Sequence, residues 1–334
     1  MKKTVLSIVL WLAALCVCLT LADRLTRRDD GARKYGPFFA EKQPIDVLFL
    51  GTSRVLDGVS PMELWRECGV TSYNMGNSSE VLDVTEQVLR LALEHQTPKV
   101  AVIDVYYVRH SVDEAWTYPY RHLFYDEIPL SRAKVEAVRA TLPRSEWLEF
   151  LMPFSLYHGR WEELLAGRAE RMVDCEPFMM GGELRIGRTP RTDFVRTRAE
   201  ADGEQPGFAA LERIVGLCRE RGVEPVFLML PAPLDEREQM AVNSVARLAA
   251  QLGVPFVNML DEDTGVDYAV DCYDDVGHLN PDGASKTTAW LGRWLCAHYP
   301  LDDHRGEAAY AHWDERLAQY EAFRAAQWGG MTLL

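Results

Sequence analysis

Five short apolar runs separated by stretches of helical periodicity restrict this chain to a parallel sheet wrapped by helices. The runs are Ile45–Leu50, Thr71–Met75, Val100–Val108, Pro225–Leu230 and Pro255–Met259. Val100–Val108 reads VAVIDVYYV, apolar enough to be buried on both faces, as parallel strands are. Ser60-Pro61 opens a helix with a cap and a first-turn proline, and Ser78 or Ser79 caps another that ends near His95. Helices are also expected over Gly207–Arg221, Asp235–Leu252 and Asp282–Ala297. The pattern predicts a doubly wound, flavodoxin-like α/β fold, five parallel strands with helices on both faces.

Around that domain, expected over residues 45–304, lie segments of different character. Thr4 to Ala22 is a run of about 19 uncharged residues, long enough to span hydrocarbon as a helix. Leu21-Ala22-Asp23 is a poor cleavage site, which favours an uncleaved anchor over residues 1–22 rather than a signal peptide. Residues 23–44 read as a polar juxtamembrane linker. The interval of about 110–205 interrupts the α/β alternation with aromatics and arginines and reads as an insertion over the active-site face. Within it, helices are expected over Arg132–Thr141 and Trp161–Arg171. Residues 305–334 hold an amphipathic helix, Gly306 to Trp328, expected to pack on the domain.

A net charge of -14 excludes nucleic acid as the main partner, because phosphate contacts require a basic surface. The 7 cysteines are odd in number and scattered, with neither a disulfide framework nor metal-ligand spacing. No His-x-x-x-His pair, phosphate loop or dinucleotide fingerprint is present, so neither a metal nor a cofactor is expected.

Two segments carry nucleophilic chemistry. Phe49-Leu50-Gly51-Thr52-Ser53-Arg54 sets a serine hydroxyl just past the end of the first strand, where open parallel sheets bind ligands. Asp275-Val276-Gly277-His278-Leu279-Asn280-Pro281 sets a carboxylate three residues before an imidazole, in a loop that opens a helix. Serine needs a base, and histidine needs a carboxylate to fix its tautomer and orientation. Ser53 is therefore the candidate nucleophile, His278 the base and Asp275 the orienter. Asp271 and Asp274 are rivals, since a one-residue shift of the loop would substitute Asp274. Tyr157-His158-Gly159-Arg160-Trp161, in the insertion, offers aromatic surface, donors and a cation suited to sugar rings.

The first and last of these segments resemble the first and last motif blocks of the SGNH (GDSL-like) hydrolases. That resemblance covers roughly residues 45–110 and 205–300. It implies a serine ester hydrolase or acyltransferase in which the serine amide, a glycine amide after the second strand and an asparagine after the third hold the oxyanion. Gly76, in Asn74-Met75-Gly76-Asn77-Ser78, stands at the glycine position. The third strand has no Gly-x-Asn-Asp, so Asn77, the Tyr106 or Tyr107 hydroxyl, or two donors alone must serve. With the anchor, this departure resembles membrane-anchored members that modify bacterial surface polymers: polysaccharide O-acetyltransferase partners and the teichoic acid D-alanine transfer proteins. Its implications are a single-pass location in the cell membrane, an extracytoplasmic catalytic domain, a cell-surface glycan or polymer as substrate, and a membrane-bound O-acyltransferase as partner. A non-catalytic scaffold that binds glycan or recruits such an acyltransferase is the competing expectation.

Overall fold

The computed structural model describes residues 2–26, 30–128, 130–166 and 175–329. A five-stranded, all-parallel sheet forms its centre, in the order β2-β1-β3-β4-β5. The strands are β1 (Val47–Leu50), β2 (Ser72–Asn74), β3 (Val100–Asp104), β4 (Glu224–Met229) and β5 (Phe256–Asn258). This is the flavodoxin-like order, in which the direction of winding reverses beside β1 and opens a crevice beyond the strands' carboxyl ends.

The N-terminal half contributes helices α1 (Lys2–Thr26), α2 (Asp30–Ala40), α3 (Ser53–Gly58), α4 (Pro61–Cys68) and α5 (Leu82–His95). Short helices α6 (Tyr118–Tyr125), α7 (Arg132–Thr141), α8 (Trp147–Leu151), α9 (Phe154–Tyr157) and α10 (Trp161–Leu165) build the insertion. The remainder are α11 (Phe208–Arg221), α12 (Glu236–Leu252), α13 (Pro281–His298) and α14 (Ala311–Trp328).

Successive strand residues point to opposite faces, and the packing follows that alternation. Leu48, Leu50, Ala101, Ile103, Phe227 and Met229 join one core with Val88 of α5, Ile214 of α11 and Val245 of α12. Val47, Phe49, Val100, Val102, Val226 and Leu228 join the other, with Leu64 of α4 and Leu291 and Leu295 of α13. Both faces are covered, which is why these strands read as continuous apolar runs.

Three segments differ from the sequence expectation. β3 stops at Asp104 rather than Val108, and Tyr106–Arg109 turns into a 3-10 helix. The turn is fixed by Asp104, whose carboxylate accepts from the Tyr106 amide at 3.0 Å and from the Thr52 hydroxyl at 2.6 Å. The expected linker instead holds α2, in which Lys34, Tyr35 and Phe38 are buried. Lys34 Nζ donates to Gly181 O at 2.7 Å, and Tyr73 of β2 donates its hydroxyl to Lys34 O at 2.5 Å. Polar composition there hides an amphipathic helix whose buried lysine is satisfied by backbone carbonyls. The helix expected over Trp161–Arg171 is described only as α10, Trp161–Leu165; residues 167–174 lie outside the described residues, as do Met1, residues 27–29 of the linker and residues 330–334 of the tail.

α14 packs on α4. Trp313 is fully buried with its ring 5.4 Å from that of Trp65, and Tyr320 donates to the buried Glu63 carboxylate at 3.0 Å. In α1 the stretch Lys3–Asp23 has a mean hydropathy of 2.7, none of it is buried against the protein, and it is long and apolar enough to cross a membrane.

Candidate active site

The site assembles beyond the carboxyl ends of β1, β2 and β3. After Leu50 the chain turns through Gly51, whose φ of +139° and a clash of any Cβ with the Asp104 side chain at 2.4 Å require glycine. Thr52 then caps α3, its hydroxyl oxygen accepting from the Arg54 amide at 3.2 Å. Ser53 is the first residue of α3, so its amide is among those that an α-helix leaves without an intrahelical acceptor.

Ser53 Oγ lies 2.7 Å from His278 Nε2. The opposite ring nitrogen, Nδ1, lies 2.7 Å from Asp274 Oδ2. Asp274, not Asp275, is thus the carboxylate against the imidazole. The reason is the turn between β5 and α13: Asp274 Oδ1 accepts from the amides of Gly277 at 2.9 Å and His278 at 3.0 Å. That wraps the turn around its own first carboxylate and leaves Asp275 exposed on the outside. Gly277 adopts φ +82° beneath Pro233, a conformation and a clearance that suit only glycine. The Tyr273 amide donates to His278 O at 2.9 Å and closes the loop. Asp271, the other rival, instead pairs with Lys286 at 2.6 Å.

Burial tends to raise the Asp274 carboxyl, but hydrogen bonds from the His278 ring and from the His278 and Gly277 amides outweigh it and hold it at about 2. An ionised carboxylate only accepts, so Nδ1 carries the imidazole proton and Nε2 presents its lone pair to the Ser53 hydroxyl. Burial also lowers His278 below its ordinary value, aided by the Arg54 charge and opposed by Asp274. At neutral pH the ring is therefore a neutral base. Tyr273 stacks against it with ring centres 5.6 Å apart and donates its hydroxyl to Asp57 of α3 at 3.0 Å.

Apart from the Ser53 amide, the expected donors Gly76, Asn77 and Tyr106 bond elsewhere. Gly76 lies against α3, where a Cβ would meet Leu56 N and Thr52 O at 2.9 Å, and its amide donates to Asn74 Oδ1 at 3.0 Å. Asn77 is buried and donates its side-chain amide to Tyr35 at 2.5 Å. Tyr106 donates to Glu238 at 3.2 Å, and Tyr107 stacks on Tyr106 with ring centres 4.7 Å apart. The carbonyls at the end of α3 explain Asn74, which donates to Val55 O at 2.7 Å and Val59 O at 2.8 Å and so ties β2 to α3.

The turn His158–Arg160 packs against α1 rather than at the Ser53–His278 pair, and Trp161 beside it is exposed. Arg160 donates to Thr26 O, on the last turn of α1, at 3.0 Å. Sequence reasoning assigned no role to Arg54, Asn74, Asp104 or Tyr273. A charged residue inside an apolar strand, as Asp104 is, was the one local signal available; the others require knowing which loops meet.

No protein-family model and no curated protein matches the chain. Among solved structures, a GDSL-like lipase from Bacteroides thetaiotaomicron is similar at a TM-score of 0.38 and 11% sequence identity, over 81% of this chain and 98% of that one.

Proposed function

We propose that the chain is a membrane-anchored serine ester hydrolase or O-acyltransferase of SGNH type. The observation that carries this reading is the continuous path Ser53 Oγ–His278 Nε2 and His278 Nδ1–Asp274 Oδ2, each link 2.7 Å. Ser53 Oγ attacks an ester carbonyl while its proton passes to Nε2; Asp274 holds the resulting imidazolium. Collapse of the tetrahedral intermediate expels the alcohol, which takes that proton from Nε2. Water or a sugar hydroxyl then gives its proton to Nε2 and attacks the acyl-serine carbonyl, and Ser53 Oγ departs taking that proton back from Nε2. The resemblance noted above favours acetyl esters of a cell-surface polymer as substrate and a membrane-bound O-acyltransferase as partner.

The test is a fluorophosphonate, which forms a stable adduct with an activated serine. Adduct on Ser53, absent from Ser53→Ala, is the expected result; equal labelling of both proteins overturns the reading. A scaffold that binds glycan without turnover is the second reading. It is favoured by the commitment of the Gly76 amide to Asn74 and of the Asn77 amide to Tyr35.

In this reading the catalytic domain lies outside the cytoplasm, with α1 as a retained single-pass anchor. Docking of Arg160 on Thr26 supports retention, since it joins the end of the apolar helix to the folded domain. A reporter active only in the cytosol, fused after Leu334, should stay silent; strong activity reverses the orientation.

A further inference from the structure

Arg54 follows the proposed nucleophile directly, yet it is only 3% exposed. Burying a guanidinium is costly unless its donors are met. The loop that carries the base meets two of them, Nη1 donating to Gly277 O at 2.5 Å and Nη2 to Val276 O at 2.9 Å, while Nε is left without a partner. Tyr106 covers the group, with its ring centre 4.8 Å from the guanidinium carbon. Val276 and Gly277 lie between Asp274 and His278, so the fork grips the turn that joins orienter to base. No helix or strand holds the chain between β5 and α13, and an irregular segment of that length needs pins from outside. α3 supplies two of them, Arg54 on the carbonyls and Asp57 on Tyr273.

We propose that Arg54 is a positioning residue that fixes the Asp274–His278 loop against Ser53, so that a single short helix sets both the nucleophile and the reach of its base. The assignment rests on the reading of Ser53 as a nucleophile. A planar fork fixes two carbonyls in position and tilt, which a lysine ammonium on a flexible stem does not. The groups facing His278 are Ser53, Asp274, the Tyr273 ring, Arg54 and Arg185. Of these, Arg54 and Arg185 oppose protonation and Asp274 favours it. Loss of the Arg54 charge, like exposure of a released loop, moves the His278 titration upward.

The full chain in detergent is compared with Arg54→Met and Arg54→Lys by three measurements: Ser53 labelling by a fluorophosphonate against pH, His278 ring titration by nitrogen NMR, and thermal melting. Arg54→Met should label about 100-fold more slowly, the scale of a misplacement of about 1 Å, with His278 titrating at higher pH than in the wild type. Arg54→Lys should recover part of the rate, remaining about tenfold slow because one carbonyl loses its donor. Wild-type labelling by Arg54→Met, or slow labelling with an unshifted titration, overturns the proposal. If Arg54→Met does not fold, Arg54→Lys decides, and a wild-type rate with wild-type melting overturns the proposal. If the wild type itself resists labelling, the nucleophile reading fails. The NMR titration then judges Arg54 alone, a shift supporting its role and no shift overturning it.

Discussion

Replacing His278 with alanine is expected to slow phosphonate attack on Ser53 by on the order of 10⁴–10⁶-fold, as loss of the base does in serine hydrolases. Without the imidazole at 2.7 Å, nothing takes the hydroxyl proton, and a neutral alcohol is a poor nucleophile. The double variant Ser53→Ala/His278→Ala should be no worse in ester turnover than either single variant, because nucleophile and base act as one unit. The same reaction has a defined pH profile. His278 in the folded protein titrates below its ordinary 6.5, so its neutral form persists from above 6.5 down to that lowered value. Labelling of the wild type should therefore be flat around pH 7 and fall only as pH drops through the lowered value. A midpoint above 6.5, or a rate for His278→Ala within tenfold of the wild type, would remove His278 from the role of base.

Asp274→Asn should cost roughly 10⁴-fold in turnover, while Asp275→Asn stays near the wild type. The amide has the shape of the carboxylate but can donate toward Nδ1, which stabilises the wrong tautomer and leaves Nε2 without its lone pair. Asp275 is exposed on the outer side of the same turn and has no such consequence. The carboxylate also contributes to stability. Its folded value of about 2 lies below the ordinary 3.8, so that contribution is complete above 3.8 and is lost as pH falls through 2. Asp274→Asn should therefore flatten the acid limb of a melting-temperature profile. If Asp275→Asn were the damaging change, the loop would carry its carboxylate one residue later than in the structure.

The turn that separates these two residues also separates what sequence can and cannot disclose. Spacing counts residues along the chain, and Asp275 is three before His278 by that count. Selection of the carboxylate depends instead on which side chain the turn folds inward. That is set by two amides, Gly277 and His278, converging on Asp274 Oδ1. The same limit explains Tyr106 and Asn77, which lie near the right strand ends but whose hydrogen bonds go to Glu238 and Tyr35. Their partners come from segments far apart in sequence, and no local pattern announces them.

Local physics was enough for the sheet. Strands buried on both faces must be apolar at nearly every position, so Val47–Leu50, Val100–Asp104 and Pro225–Met229 stand out against helices patterned on one side. The uncharged run of α1 was legible on the same grounds, whereas the pairing of Ser53 with the histidine loop rested on motif order and resemblance. Only the tertiary structure decided that α2 belongs to the folded domain, that Arg160 serves the end of α1, that Asp274 holds the imidazole and that Arg54 grips its loop. Hydrophobic periodicity is written along the chain because burial acts residue by residue. A polar contact is fixed by the distance and direction between two groups, and across 223 residues, as between Arg54 and Gly277, folding alone sets both.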